Sequence, residues 1–140
     1  MPRCYFDTSA AMKLIRTEDY SADVKRWVSD PEVDAVSSSL LEAELRRSVM
    51  RWGIPQEEAT KTLANFELYA VPDWEFKAAG LIPIPGLRAL DALHVAAAVR
   101  VQADALVTYD ERMIEAAAAM GLPVIQPGVD DGGDVRRVSA

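Results

Sequence analysis

The stretch RCYFDTSAAMKLI, residues 3–15, decides how the rest of the chain is read. Arg3 to Phe6 is short, bulky and mostly apolar, which is the pattern of a buried strand. From Ser9 the spacing of SAAMKLI becomes helical. Between the two stands Asp7. A carboxylate where a buried strand ends has two ready explanations. It can cap the helix that follows, because its oxygen accepts a free N–H of the first turn. It can also ligate a metal ion at the strand's end. The local residues do not choose between them.

Working outward, the same alternation recurs. YSADVKRWVS (20–29) reads as a helix ended by Asp30-Pro31, and VDAVS (33–37) as a strand. SSLLEAELRRSVMRW (38–52) is an amphipathic helix closed by Gly53, and PQEEATKTLANF (55–66) is a helix with Pro55 at its start. LYAVP (68–72) is a third strand, and DWEFKAAGLIPIPG (73–86) a helix or loop broken by two prolines. LRALDALHVAAAVRV (87–101) is a helix, DALVTYD (104–110) a strand ending in an acid, ERMIEAAAAM (111–120) a helix capped by Gly121, and PVI (123–125) a last strand. Strands separated by helices predict an α/β fold, a parallel sheet with helices on both faces. Ligands of such sheets bind beyond the carboxyl ends of the strands, where Asp7 and Asp110 both belong. One folded domain is expected over residues 1–126. The Gly- and Asp-rich remainder, 127–140, is expected to be a flexible tail.

The composition narrows the function. The chain has 140 residues, 50% hydrophobic and 26% charged, as an ordinary globular domain has. The net charge of −7 argues against an electrostatic coat for DNA. Cys4 is the one cysteine, so no intrachain disulfide forms, which suits the cytoplasm. No leader and no membrane-spanning run is expected.

The acids carry the functional signal. From Ala89 to Val99 the helix is apolar all round except for Asp91 and His94, so Asp91 is expected to be buried. Arg88 could pair with it, or a cation could. In SSSLLEAELRRSVMRW, Ser39 and Glu42 have the spacing of a capping box. Leu41, Leu45, Val49 and Trp52 form the core stripe, and Glu44 lies at its edge with Arg47 and Arg51 on the same side. That is either a solvated flank or a carboxylate on the site rim with two arginines placed for phosphates. Taken singly, Asp7 and Asp110 are as well explained by capping. Taken together, four carboxylates free to meet at one rim require cations to neutralise them. Oxygen donors select hard ions such as Mg²⁺ or Mn²⁺, whose usual chemistry is phosphoryl transfer. No Walker loop, dinucleotide fingerprint or zinc spacing competes. His94 reads as a hydrogen-bonded core residue. A phosphatase of the haloacid-dehalogenase type needs a second Asp two residues after the first, and Ser9 stands there.

In this order the motifs resemble the PIN domain, and specifically the VapC toxins of bacterial VapBC toxin–antitoxin modules. YFDTSAAMKL is similar to the first motif of that family, with Asp7 as its acid and Thr8 and Ser9 as helpers. SSSLLEAELRRS is similar to the second and supplies Glu44. LRALDALHVAAA supplies Asp91, and LVTYDERMIEAA supplies Asp110 with Thr108 ahead of it. The resemblance runs from about Arg3 to Ile125. It implies a five-stranded parallel sheet in a three-layer sandwich. It further implies a Mg²⁺- or Mn²⁺-dependent endoribonuclease that hydrolyses structured RNA such as tRNA or rRNA with a metal-activated water. A VapB-type antitoxin and a homodimer are the implied partners. Two other readings compete: a PIN-like module that binds RNA or protein without turnover, and a stand-alone RNA-processing or DNA-directed nuclease of the same fold.

Overall fold

The computed structural model describes residues 1–129. Five strands, β1 (Arg3–Phe6), β2 (Asp34–Ser38), β3 (Glu67–Tyr69), β4 (Ala105–Val107) and β5 (Val124–Ile125), form one sheet in the order β3-β2-β1-β4-β5, with every pair parallel. The helices are α1 (Thr8–Met12), α2 (Ser21–Ser29), α3 (Leu40–Arg51), α4 (Gln56–Leu63), α5 (Asp73–Gly80), α6 (Ala89–Arg100) and α7 (Glu111–Ala119). The expected α/β architecture is present. LIPIPG is the irregular connection between α5 and α6.

The alternation of β1 sorts the core into two layers. Cys4 and Phe6 point to one face and pack with Val24, Trp27, Leu41, Leu45 and Val49 from α2 and α3. Tyr5 points to the other and packs with Val95, Ala97 and Ala98 of α6 and Met113, Ala116 and Ala117 of α7. Side chains two apart on a strand share a face, so one central strand serves both layers. Burial pushes the Cys4 thiol up to about 12, which makes it an inert spacer. Ala92 to Ala98 are buried without interruption, but Leu90 and Val99 are exposed and Asp91 is only half-buried, so the expected burial holds for the middle of α6 and not for its ends.

Two expectations for α3 are corrected. Ser39 is already helical (φ −61°, ψ −14°) and its side chain makes no cap hydrogen bond. Its N–H, which a capping-box glutamate would accept, donates instead to Tyr69 O at 2.9 Å. Glu42 turns outward and pairs with Arg46 Nε at 2.5 Å. Trp52 is not in the core. The helix ends at Arg51, Gly53 takes φ +67°, and the indole stays 54% exposed under the Arg16 guanidinium, 3.5 Å from its ring centre. A helical stripe stops predicting burial where the helix stops.

After β5 the chain turns back over Gln126 to Val129. There Tyr109 Oη donates to Pro127 O at 2.7 Å. The rest of the expected tail, 130–140, lies outside the described residues. Among the described residues no helix is long and apolar enough to cross a membrane.

Candidate active site

The strand order reverses direction between β1 and β4, and the crevice at their carboxyl ends is the switch point where open α/β sheets take ligands. Asp7 follows β1 there, its N–H bonded to Val107 O at 3.2 Å. It caps α1, accepting from Ala10 N at 3.0 Å. Ser9 Oγ donates to its Oδ1 at 2.7 Å and Thr108 Oγ1 to its Oδ2 at 2.5 Å. Three of about four lone-pair positions on the carboxylate are thus used. Only 4% of Asp7 is exposed, and burial raises its pKa against these three donors.

The two hydroxyls do matching work. Ser9 Oγ accepts from Tyr109 N at 3.1 Å, and Thr108 Oγ1 accepts from Asp110 N at 3.1 Å. The segment leaving β4 therefore hangs from Asp7 by two hydroxyl bridges. Asp110, brought in this way, caps α7 by accepting from Arg112 N at 2.8 Å and Met113 N at 3.3 Å. Thr8, adjacent to Asp7, takes no part in this cradle. Its hydroxyl is buried with no hydrogen-bond partner among the described residues.

Asp91 opens the first turn of α6, half-buried. Burial raises its pKa most, and the charges of Asp110 and Glu44 raise it further, while His94 and Arg88 oppose them. Asp91 on α6 therefore lies within electrostatic reach of Glu44 on α3 and of Asp110 at the start of α7. Arg88 contributes its field but makes no ion pair with Asp91 among the described residues. Among those residues, no three His, Cys, Asp or Glu side chains converge tightly enough to enclose an ion by themselves.

Glu44 has a partner that the helix phase of α3 could not supply. His94 Nε2 hydrogen-bonds Glu44 Oε1 across 50 residues of sequence. The other ring nitrogen, Nδ1, lies 2.7 Å from Tyr5 Oη, which is 2.8 Å from Ser38 Oγ. His94 and Tyr5 are buried, so this is a polar chain running under the rim. Sequence reasoning placed His94 in the core but did not pair it with Glu44, and it missed Tyr5 and Ser38. The available signal was the tyrosine in a buried strand, since a buried phenol needs a hydrogen-bond partner. Arg47 and Arg51 are exposed, and neither pairs with Glu44 among the described residues. Arg47 is one turn from Glu44. Arg51 is two turns away, about 10 Å down the helix.

The PIN domain family model matches residues 4–119. The chain is 37% identical to Ribonuclease VapC35 of Mycobacterium tuberculosis, over 89% of this chain and 96% of that one. Among solved structures it is similar to the M. tuberculosis toxin VapC20, described as cleaving the sarcin–ricin loop. That match has a TM-score of 0.70 and 18% identity, covering 89% of this chain and 99% of the other. It is also similar to a chain of VapBC2 from Rickettsia felis bound to a promoter DNA fragment, with a TM-score of 0.67 and 16% identity over 88% and 97% of the two chains. With that model spanning most of the sequence and a ribonuclease relative aligned nearly end to end, the chain belongs to the PIN-domain family, as a VapC-type ribonuclease.

Proposed function

We propose that this chain is the endoribonuclease toxin of a toxin–antitoxin pair, and that it hydrolyses RNA phosphodiesters at the β1–β4 rim with Asp7, Glu44, Asp91 and Asp110 holding Mg²⁺ or Mn²⁺. The observation that carries this reading is the environment of Asp91. Burial raises its pKa most and the charges of Asp110 and Glu44 raise it further, an arrangement that is unfavourable until a cation enters. The donors fit such an ion. They are all oxygen, and Asp7 keeps a lone-pair position after its three hydrogen bonds. A loosely spaced set also suits Mg²⁺, which retains several waters and takes few carboxylates directly. When bound, the ion would acidify a water and neutralise charge on the phosphate.

The protein's own part is placement. Ser9 and Thr108 favour the ionised form of Asp7 against the effect of its burial and keep the start of α7 beside it. His94 holds Glu44. Arg47 and Arg51, exposed on α3 one and two turns from Glu44, would meet successive RNA phosphates. The net charge of −7 and the acidic rim favour a basic antitoxin segment as the natural block. The Rickettsia neighbour, a toxin–antitoxin complex, supports that partner class, and the VapC20 description supports structured RNA such as tRNA or rRNA as substrate. A homodimer is supported by an apolar cleft of about 360 Å³ lined by Phe76, Ile82, Leu87 and Leu93, with Trp74 61% and Leu81 70% exposed nearby. Phe76→Glu should then yield monomers by light scattering, whereas a monomeric wild type refutes the dimer. The lone buried thiol suits a cytoplasmic setting.

The test is cleavage of bacterial total RNA by purified chain in Mg²⁺, in Mn²⁺ and in excess EDTA, beside Asp7→Ala. Cleavage should need the metal and Asp7. Undiminished cutting in EDTA, or by Asp7→Ala, refutes the assignment. Expression of the wild type in a bacterial host should arrest growth, and co-expression of the cognate antitoxin should relieve it.

A further inference from the structure

We infer that His94 is a positioning residue: it fixes the Glu44 carboxylate at the rim, with Tyr5 and Ser38 as its anchor, and so sets how tightly the site takes a divalent cation. The inference rests on the cation-site reading above and deepens it. Glu44 belongs to α3, in the layer packed against Cys4 and Phe6, while His94 belongs to α6 in the opposite layer. Their hydrogen bond therefore links one helical layer to the other. A glutamate on a helix has several rotamers to choose from, and confining it costs side-chain entropy unless another group has already done so.

His94 is equipped for that task. Its ring is 1% exposed and cannot swing into solvent. One nitrogen is tied to Tyr5 Oη at 2.7 Å. The ring also meets the Tyr5 ring edge-on, at 5.7 Å between centres and 72° between planes. Tyr5 is in turn fixed by β1 and by Ser38 at 2.8 Å. The remaining nitrogen, Nε2, has one direction left, and Glu44 occupies it. Partners that orient a metal ligand typically change metal affinity 10–100-fold when removed.

Two substitutions separate positioning from a merely structural tie. In His94→Asn the amide nitrogen falls near the place of Nδ1, so it reaches Tyr5 and not Glu44. In His94→Gln it falls near the place of Nε2, so it reaches Glu44 and not Tyr5. Both lose the ring. Mn²⁺ binding by calorimetry, with thermal melts by circular dichroism to confirm folding, is the readout. His94→Gln should stay within about threefold of wild type, and His94→Asn should bind about tenfold more weakly or worse. Tyr5→Phe, which keeps the packing, should fall between. In a Glu44→Gln background the His94 substitutions should cost no further affinity. Equal affinities for His94→Asn and His94→Gln, or wild-type affinity in both, overturn the inference. If His94→Asn does not fold, wild-type affinity in Tyr5→Phe overturns it. If Glu44→Gln itself binds Mn²⁺ like the wild type, the assignment of Glu44 to the cation site fails, and the inference with it.

Discussion

Removing the Thr108 hydroxyl should destabilise the protein in a way that depends on pH. Thr108→Val is nearly isosteric at a fully buried position, so packing is kept while a weak 3.4 Å contact to Ser9 Oγ and two shorter hydrogen bonds are lost. The first is the 2.5 Å donation to Asp7 Oδ2. A bond to an ionised group is worth about 1.5–3 kcal/mol. The second is acceptance from Asp110 N at 3.1 Å. That N–H lies at a half-exposed helix start, so water recovers part of it and its loss costs about 1 kcal/mol. The sum is about 2–4 kcal/mol, or a fall in Tm of about 10 °C for a domain of this size.

The pH dependence identifies the cause. Burial raises the pKa of Asp7, and Thr108 is the strongest of the contacts that pull it down. In Thr108→Val the folded value therefore rises further above the unfolded value of 3.8. A group with a raised folded value loses stability as pH climbs through that value, and the variant loses more than the wild type. The deficit should be greatest at pH 7–8 and shrink as both proteins are acidified toward the unfolded value, where Asp7 is neutral and the bond is no longer charge-assisted. Thermal melts in EDTA at pH 8, 6 and 4.5 measure it. A Tm within about 2 °C of wild type at pH 8, or a deficit unchanged across the three pH values, refutes the argument.

Asp91→Asn should melt higher than the wild type at pH 7.5 in EDTA, because it removes a carboxylate raised by burial and by two neighbouring acids, and the advantage should fade as pH falls toward 3.8. A lower Tm at neutral pH would mean that Asp91 is paired rather than repelled; RNA cleavage, measured in parallel, should be lost. Glu42→Gln should keep nearly full cleavage, since it gives up only an exposed pair with Arg46, worth about 0.3–0.5 kcal/mol, while Glu44→Gln should lose most of the activity with little change in Tm. The reverse order would displace Glu44 from the site. Arg47→Ala should weaken RNA binding and reduce its salt slope by about one, with Arg51→Ala smaller because it stands farther from Glu44; a steeper slope in either variant contradicts a phosphate contact.

What was legible in the sequence was what local pattern controls. RCYF is β1 from Arg3 to Phe6, and the run of buried residues from Ala92 to Ala98 was announced by a helix with no polar face. The rim positions of Asp7 and Asp110 followed from strand ends alone. What stayed hidden depends on groups distant in sequence. The capping box fails because Ser39 is itself helical and its N–H, which Glu42 would have accepted, goes to Tyr69 O thirty residues on. Glu44 looked like one half of a stripe with Arg47 and Arg51 because helix phase reports only neighbours on the same helix, whereas its partner is His94, fifty residues away.

These hidden contacts share a physical logic. The acids of the rim come from separate elements and repel one another, so nothing in their own interactions would bring them together. The neutral and basic groups beneath them do that instead. Ser9 and Thr108 draw the start of α7 onto Asp7, and His94 ties Glu44 to the opposite helical layer. Each of these groups hydrogen-bonds a carboxylate and is itself held by backbone or by a buried phenol. In the proposed cation site these donors would place the acids before the cation binds, and the cost of placing them would fall on the fold rather than on binding. A site built this way should lose metal affinity when its supporting donors are removed even though every acid remains, and that outcome separates assembly by the fold from assembly by the ion.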